Sequence, residues 1–296
     1  MALTACQKDF TIDDELDPPV DPPTTAVDSN FLFKIYNIDS TASGSDTTGW
    51  YTYEYDALKR VIKITDSFPD MGTNVMYSLE LLYYNGSDTL PSRSVYYDFE
   101  EVLAGSGPTQ IDTFTRFFTY NAQGKLVSDS GISNRAPISG APVQTEVYKY
   151  QYPTNKIYAQ FWNRNHAGTL IEYKEDTALL NASGQVVSSK GYKFSSGSPV
   201  QYITVTISYD DKINPFSKLS SFQTLEVVPN GSTYSGEIQS ANNILKSEQT
   251  GDYGNFVNDY TGKYRYNAKN YPIALVDEDP TTTGVYFKQS FLYKAL

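Results

Sequence analysis

The chain holds few residues able to carry covalent or metal chemistry. One histidine, His166, and one cysteine, Cys6, stand among 296 residues. Zinc-type sites need several Cys and His ligands at set spacing, and nucleophilic hydrolysis needs a base placed beside a Ser, Thr or Cys. His166 lies in Asn163-Arg164-Asn165-His166-Ala167-Gly168, has no such partner in the pattern, and reads as an exposed turn residue. Glycoside hydrolysis asks for two carboxylates at a fixed separation, and adjacent pairs such as Glu100-Glu101 and Asp210-Asp211 are expected by chance among 34 acids. Asp210-Asp211 and Asp277-Glu278-Asp279 offer the oxygen ligands calcium takes without the spacing of a calcium loop, so they read as solvated loops. Gly105-Ser106-Gly107 and Ser195-Ser196-Gly197 lack the lysine and helix of a phosphate loop. No catalytic residue, metal site or cofactor is expected.

Aromatics are the one chemical surplus. With 26 Tyr, 15 Phe and two Trp they make up 15% of the chain, while charged residues reach only 19%, below the roughly 25% of ordinary soluble domains. Exposed aromatic rings stack on the apolar face of a pyranose, so Trp50, Trp162 and the neighbouring Phe161 are candidate ligand-stacking residues. The competing reading makes them core filler of a tyrosine-rich sheet. A net charge of −11 and a pI near 4.6 argue against nucleic acid as a partner, because phosphate binding starts from a basic footprint.

The positions that could present these rings follow from the rest of the chain. Leu3-Thr4-Ala5-Cys6 has the form of a bacterial lipobox, in which small residues precede the cysteine that takes the lipid. The basic and apolar stretches of a signal peptide do not stand upstream of it. Residues 1–6 are therefore read as the remnant of a lipoprotein signal, with Cys6 as the lipid attachment. Residues 7–29 carry Asp13, Asp14, Glu15, Asp17 and Asp21 among Pro18, Pro19, Pro22 and Pro23. Like charges repel and prolines favour extended polyproline II, which makes a semi-rigid tether; a plain disordered terminus is the alternative. Acids just after the cysteine also resemble the surface-export signal of Bacteroidota lipoproteins. The implied location is the outer membrane, lipid-anchored and facing outward, with the anchor as the only membrane contact.

Residues 30–296 alternate with period two. Tyr51, Tyr53 and Tyr55 share one face against Thr52 and Glu54, and Tyr148, Tyr150 and Tyr152 share one against Lys149 and Gln151. This is the pattern of half-buried antiparallel strands. A turn motif recurs with it. Tyr55-Asp56-Ala57-Leu58-Lys59-Arg60, Tyr120-Asn121-Ala122-Gln123-Gly124-Lys125, Leu180-Asn181-Ala182-Ser183-Gly184-Gln185 and Tyr266-Asn267-Ala268-Lys269-Asn270-Tyr271 are the clear copies, and Tyr84, Tyr152 and Tyr209 head weaker ones. Asp or Asn opens the turn through its side chain, and Gly124, Gly184 or Asn270 supplies a left-handed residue. Repetition at 28- to 36-residue intervals from Tyr55 to Tyr209 gives two strands per unit. An all-β fold of about 12–16 antiparallel strands in one domain follows, and so many hairpins in one sheet would curl or close into a barrel.

The tyrosine–aspartate–glycine turns resemble the YD repeats of rearrangement-hotspot proteins. Three segments in order, Tyr209 to Phe216, Asn242 to Ser247 and Tyr264 to Pro272, resemble Bacteroidota lipoproteins of an uncharacterised domain family described as porin-like. That resemblance implies an antiparallel β-barrel or strongly curled sheet behind a lipid anchor and implies no activity. The chain departs from it at Lys269-Asn270, where an acid–glycine pair is commoner.

Within the sheet, Tyr77, Leu79, Leu81 and Tyr83 are expected to share the aromatic inner face. Thr52, Glu54, Lys63, Glu80, Lys149, Gln151, Glu172 and Lys174 are expected on the opposite, water-facing side, which is unsuited to lipid. Two functions fit: a non-enzymatic extracellular binding module for a glycan or small ligand, or a structural or assembly protein contacting another envelope protein.

Overall fold

A computed structural model of the chain describes residues 31–41, 44–70, 73–99, 111–134, 145–165, 167–195, 197–218, 240–251, 260–277 and 286–296. Sixteen strands follow one another in a closed antiparallel barrel. They are β1 (Phe31–Thr41), β2 (Gly44–Tyr55), β3 (Val61–Asp70), β4 (Thr73–Tyr84), β5 (Pro91–Asp98), β6 (Asp112–Tyr120), β7 (Leu126–Ser133), β8 (Thr145–Gln151), β9 (Lys156–Arg164), β10 (Leu170–Leu180), β11 (Val186–Ser195), β12 (Ser198–Tyr209), β13 (Ile244–Gly251), β14 (Tyr260–Tyr266), β15 (Pro272–Asp277) and β16 (Tyr286–Lys294). Each strand pairs with the next, and β1 closes the ring against β16 from Phe31↔Lys294 to Ser40↔Tyr286. Full closure removes the unpaired edges that an open sheet of this size would expose. A 3₁₀ turn at Pro215–Lys218 is the other regular element among the described residues.

One pole gathers the recurrent tight turns, and they are built alike. Asp56, Asn121, Asn181 and Asn267 each accept two backbone N–H bonds on one side-chain oxygen, from the residues two and four further on. The fourth residue after the pre-turn position is left-handed each time: Lys59 at φ 63°, Gly124 at 73°, Gly184 at 80° and Asn270 at 64°. The Lys269-Asn270 copy, which departs from the acid–glycine pattern, thus makes the same turn. The register shifts by a bulge at Tyr55, Tyr84, Tyr120, Leu180, Tyr209 and Tyr266, and bulges add the local twist that curls a sheet.

The pre-turn tyrosine has a further task. The hydroxyls of Tyr55, Tyr84, Tyr120, Tyr152, Tyr209 and Tyr293 donate to the backbone carbonyls of Leu32, Val61, Pro91, Leu126, Val186 and Pro272 at 2.6–3.0 Å. Each bond ties one hairpin to the start of the preceding one. Burial pushes the Tyr84 and Tyr152 hydroxyls up to about 12, so they remain protonated donors. Tyr293 lies outside the turn motif, which is why the repeat pattern misses it.

Two residues inward from these latches, and from Leu180, the wall turns into a core. Tyr53, Leu82, Phe118, Tyr150, Ala178 and Phe291 are all below 9% exposed. A circular barrel of this strand number would leave an aqueous lumen, so burial of residues as small as Ala178 means the interior is filled at this level. Phe216 of the 3₁₀ turn adds to that filling, edge-on to Phe291 at 6.3 Å. Higher up, glycines make room for rings: a Cβ on Gly131 would lie 2.3 Å from Phe114, and one on Gly191 would lie 2.6 Å from Tyr202.

Candidate functional site

The three segments that carried the sequence resemblance meet at the tight-turn pole. Asp210 accepts from the Lys212 and Asn243 backbone N–H groups, from the Asn243 amide and from the Tyr266 hydroxyl. Asn214 accepts from the Phe216 N–H at 2.9 Å and donates to Ser240 at 3.2 Å. The Ile213 N–H reaches the Asn270 carbonyl, and the Gln185 amide reaches the Asn242 side chain. The arrangement is a clasp that seats Phe216. Asp210 is therefore a structural hub and not part of a solvated loop, although the Asp211 side chain is 85% exposed.

Which face each strand presents is set by the residue before the turn. Counting back by two from Tyr84 gives Leu82 and Glu80, and counting back from Leu180 gives Ala178, Asp176, Lys174 and Glu172. Glu80, Glu172 and Lys174 consequently point inward, while Leu79, Leu81 and Tyr83 point outward, contrary to the expectation from the richest apolar alternation. The bulge at each turn offsets the pairing by one residue, so parity carried from strand to strand across a turn misleads.

The inner wall above the filled layer is accordingly charged. Arg116 contacts Asp129 at 2.5 Å and Glu146 at 3.2 Å. Burial alone would lower the Arg116 guanidinium, but the two carboxylates outweigh it and push it up. Burial raises Glu80 against the opposing Ser94 hydroxyl and the Arg116 charge, and it raises Glu146 against Arg116. Lys174 pairs with Glu172 at 3.0 Å and lies over the Phe161 ring at 5.4 Å. Paired and largely enclosed, this belt reads as a polar core.

The outer wall is mostly Thr and Ser with charges at mid-strand. Lys63 pairs with Glu54 at 2.8 Å, Lys246 pairs with Glu248, and Lys149 and Lys190 add to the set. Lys at a bilayer midplane costs about 2–4 kcal/mol on a barrel's lipid face, so this wall suits water. Aromatic rings occur on it in several places, including Tyr83 and Phe117, and two of these hold the tryptophans.

Trp50 lies 6.4 Å from Tyr36, and Lys34 sits over both rings at 4.6 and 4.3 Å. Trp162 stands on a different part of the ring, across β9 to β11. Its ring is 5.4 Å from Tyr173, which is 4.8 Å from Phe194. Phe161, next in sequence to Trp162, faces inward, 6% exposed and 4.5 Å from Tyr148. The structure therefore separates the three candidate stacking residues and gives Trp162 partners that sequence reasoning had not singled out.

Below the Trp162 row lies a second row of hydrogen-bonding groups. Gln160 and Glu175 are cross-strand partners, as are Glu175 and Tyr192, and Tyr192 and Gln201. The Gln160 amide donates to the Tyr173 hydroxyl at 2.7 Å and to Glu175 at 3.3 Å, and the Tyr173 hydroxyl donates to Glu175 at 2.5 Å. Burial works to raise the Glu175 carboxyl, but the hydroxyls of Tyr173 and Tyr158 and the Gln160 amide hold it below its usual range. Knowing which residues face outward was needed to see Tyr173 and Phe194 beside Trp162. Cys6, the 7–29 tether and His166 lie outside the described residues. Among the described residues no group of three or more Cys, His, Asp or Glu side chains is placed to hold a metal ion.

Solved structures of low sequence identity match the chain. A porin-like protein from Bacteroides vulgatus ATCC 8482 is 12% identical, with 90% of this chain and 100% of that one covered and a TM-score of 0.54. A porin-like protein from Bacteroides uniformis ATCC 8492 is also 12% identical, covering 90% and 99%, with a TM-score of 0.48. At this identity the first likeness speaks to the fold alone, and the second adds no argument. No family model and no curated protein matches the chain.

Proposed function

We propose that the protein is a non-enzymatic extracellular binding module, taking a glycan or other small ligand on its outer wall and held at the outer membrane by lipid on Cys6. The observation that carries this reading is the Trp162–Tyr173–Phe194 row set directly above the hydrogen-bonding row of Gln160, Glu175 and Tyr192. Rigid aromatic side chains offer contact area at low entropic cost, and the polar row gives directional bonds beside it. The lipobox and acidic, proline-rich tether support an envelope location, and the shared fold of a porin-like Bacteroides protein is consistent with it.

Because β1 starts at the tight-turn pole, a tether ending there would leave the Trp162 row near the far rim, turned away from the membrane. Binding of the full chain to a panel of host and plant polysaccharides, followed by intrinsic tryptophan fluorescence, tests the module. A saturable hit that shifts the emission is expected, and a flat response across the panel overturns it. Replacing Cys6 by Ala in cells carrying a complete signal peptide is expected to abolish lipid labelling; persistent label removes the anchor.

One observation favours the assembly role instead. Leu79, Leu81, Val95, Tyr97 and Phe117 form an apolar sector of the outer wall bordered by Lys63 and Arg93, with Phe117 45% exposed, and crosslinking on intact cells would reveal an envelope partner there.

A further inference from the structure

We infer that the wall of β9 to β11 is a subsite for a neutral hexopyranose, stacked on Trp162 and Tyr173 with its ring hydroxyls bonded to Glu175 and Gln160. This rests on the binding-module reading above and names the ligand class for that site.

The argument comes from the order of the two rows. Trp162 and Tyr173 are direct cross-strand partners, and so are Gln160 and Glu175 two residues nearer the tight-turn pole. An apolar strip and a hydrogen-bonding strip thus run side by side across the strands. A pyranose has the matching amphipathy, with C–H groups on its faces and hydroxyls around its rim. When ionised, Glu175 can only accept, and a sugar hydroxyl supplies a donor it can take. Its carboxylate is held charged by Tyr173, Tyr158 and Gln160, and these contacts also fix its position before any ligand arrives. Pre-ordering of this kind lowers the entropic cost of binding.

The same carboxylate selects against an acidic sugar, whose own charge would be brought beside it. Lys149, the cross-strand partner of Gln160, lies over the Trp162 ring at 5.6 Å. Specificity built this way depends on the unfavourable pairing as much as on the favourable one.

The test uses the full chain carrying Trp50→Phe, so that Trp162 is the only indole. It is titrated with neutral hexose oligosaccharides and with uronic-acid oligosaccharides of equal length. Neutral oligosaccharides are expected to quench or shift the emission saturably, with acidic ones at least about tenfold weaker. A calorimetric titration of Trp162→Ala is expected to lose about tenfold in affinity, in line with one aromatic contact, and Trp162→Phe to lose less. Glu175→Gln is expected to weaken neutral binding and narrow the gap to the uronic-acid series. Equal or tighter binding of the acidic series overturns the assignment. So does neutral binding that survives Trp162→Ala, which would place the ligand elsewhere and leave the binding-module reading intact. Absence of binding to either series and to every member of the polysaccharide panel overturns both.

Discussion

At the tight-turn pole the same devices recur around the ring: an Asx oxygen bridging two backbone N–H groups, a left-handed fourth residue, a bulge, and a tyrosine hydroxyl on the previous hairpin's carbonyl. On the outer wall of β9 to β11 nothing recurs. Trp162, Tyr173, Phe194, Gln160 and Glu175 occupy one sector, whereas outward positions nearer the tight-turn pole on β12 and β13 hold Thr204, Thr206, Lys246 and Glu248. A side chain repeated in every hairpin is answering a demand that every hairpin makes, which is closure. A side chain used once has no such demand to answer, so the search for ligand chemistry belongs where repetition stops.

This contrast is broken most directly at Asp210. Its carboxylate accepts from two backbone N–H groups, the Asn243 amide and the Tyr266 hydroxyl. Asp210→Ala strands all four donors at once. Hydrogen bonds to a charged group contribute about 1.5–3 kcal/mol each, but not additively, so a loss of about 3 kcal/mol or more is expected in urea unfolding. Trp162→Ala on the half-buried outer wall is expected to cost far less. Similar midpoints for the two variants would erase the distinction between clasp and wall.

A smaller effect is expected at the latches. Tyr84→Phe removes one neutral hydrogen bond to the Val61 carbonyl at 2.7 Å while keeping the ring, and about 1 kcal/mol should be lost. Tyr55→Phe and Tyr120→Phe should each cost nearly the same, measured side by side by urea denaturation. Widely unequal costs would show that the repeated hydroxyl is not a repeated device. Leu180 already marks the position that does without it: the β10 hairpin keeps the turn and the bulge and packs its aliphatic side chain against the smaller buried cluster of Tyr150, Ile157, Ala159 and Ala178.

The turns and the barrel were legible because their causes are local. Asp or Asn at the turn start and Gly124 or Gly184 four residues after the preceding Tyr or Leu announce a hairpin wherever they occur, and enough hairpins in one sheet must curl. Lys59 takes the same left-handed conformation with no sequence signal, since the surrounding hydrogen bonds impose it. The faces were harder to read. Glu80 and Lys174 looked like water-facing residues because burying a charge is costly, yet here they line an enclosed wall among Ser94, Arg116 and Glu172. Trp162 was visible as a residue but not as a site. Its partners Tyr173 and Phe194 lie 11 and 32 residues away in sequence, and only the strand register sets them in one row.

The subtlest contrast lies between an inner and an outer carboxylate. Burial raises Glu80 above its ordinary 4.5, with Ser94 and Arg116 only partly opposing. A folded-state value above the unfolded one means that Glu80's contribution to stability is fully present below about pH 4.5 and is lost as the pH climbs through the folded value. Glu175 has the opposite sign. Burial is outweighed by Tyr173, Tyr158 and Gln160, so it lies below 4.5 in the folded state, and its contribution is present above that pH and lost as the pH falls. Melting temperatures at about pH 4 and pH 7 separate the two. Relative to the parent chain, Glu80→Gln should gain stability on going from the lower pH to the higher, and Glu175→Gln should lose it. Shifts of the same sign would mean that the two carboxylates sit in equivalent surroundings, and the division between an enclosed inner belt and a pre-ordered outer row would fall with them.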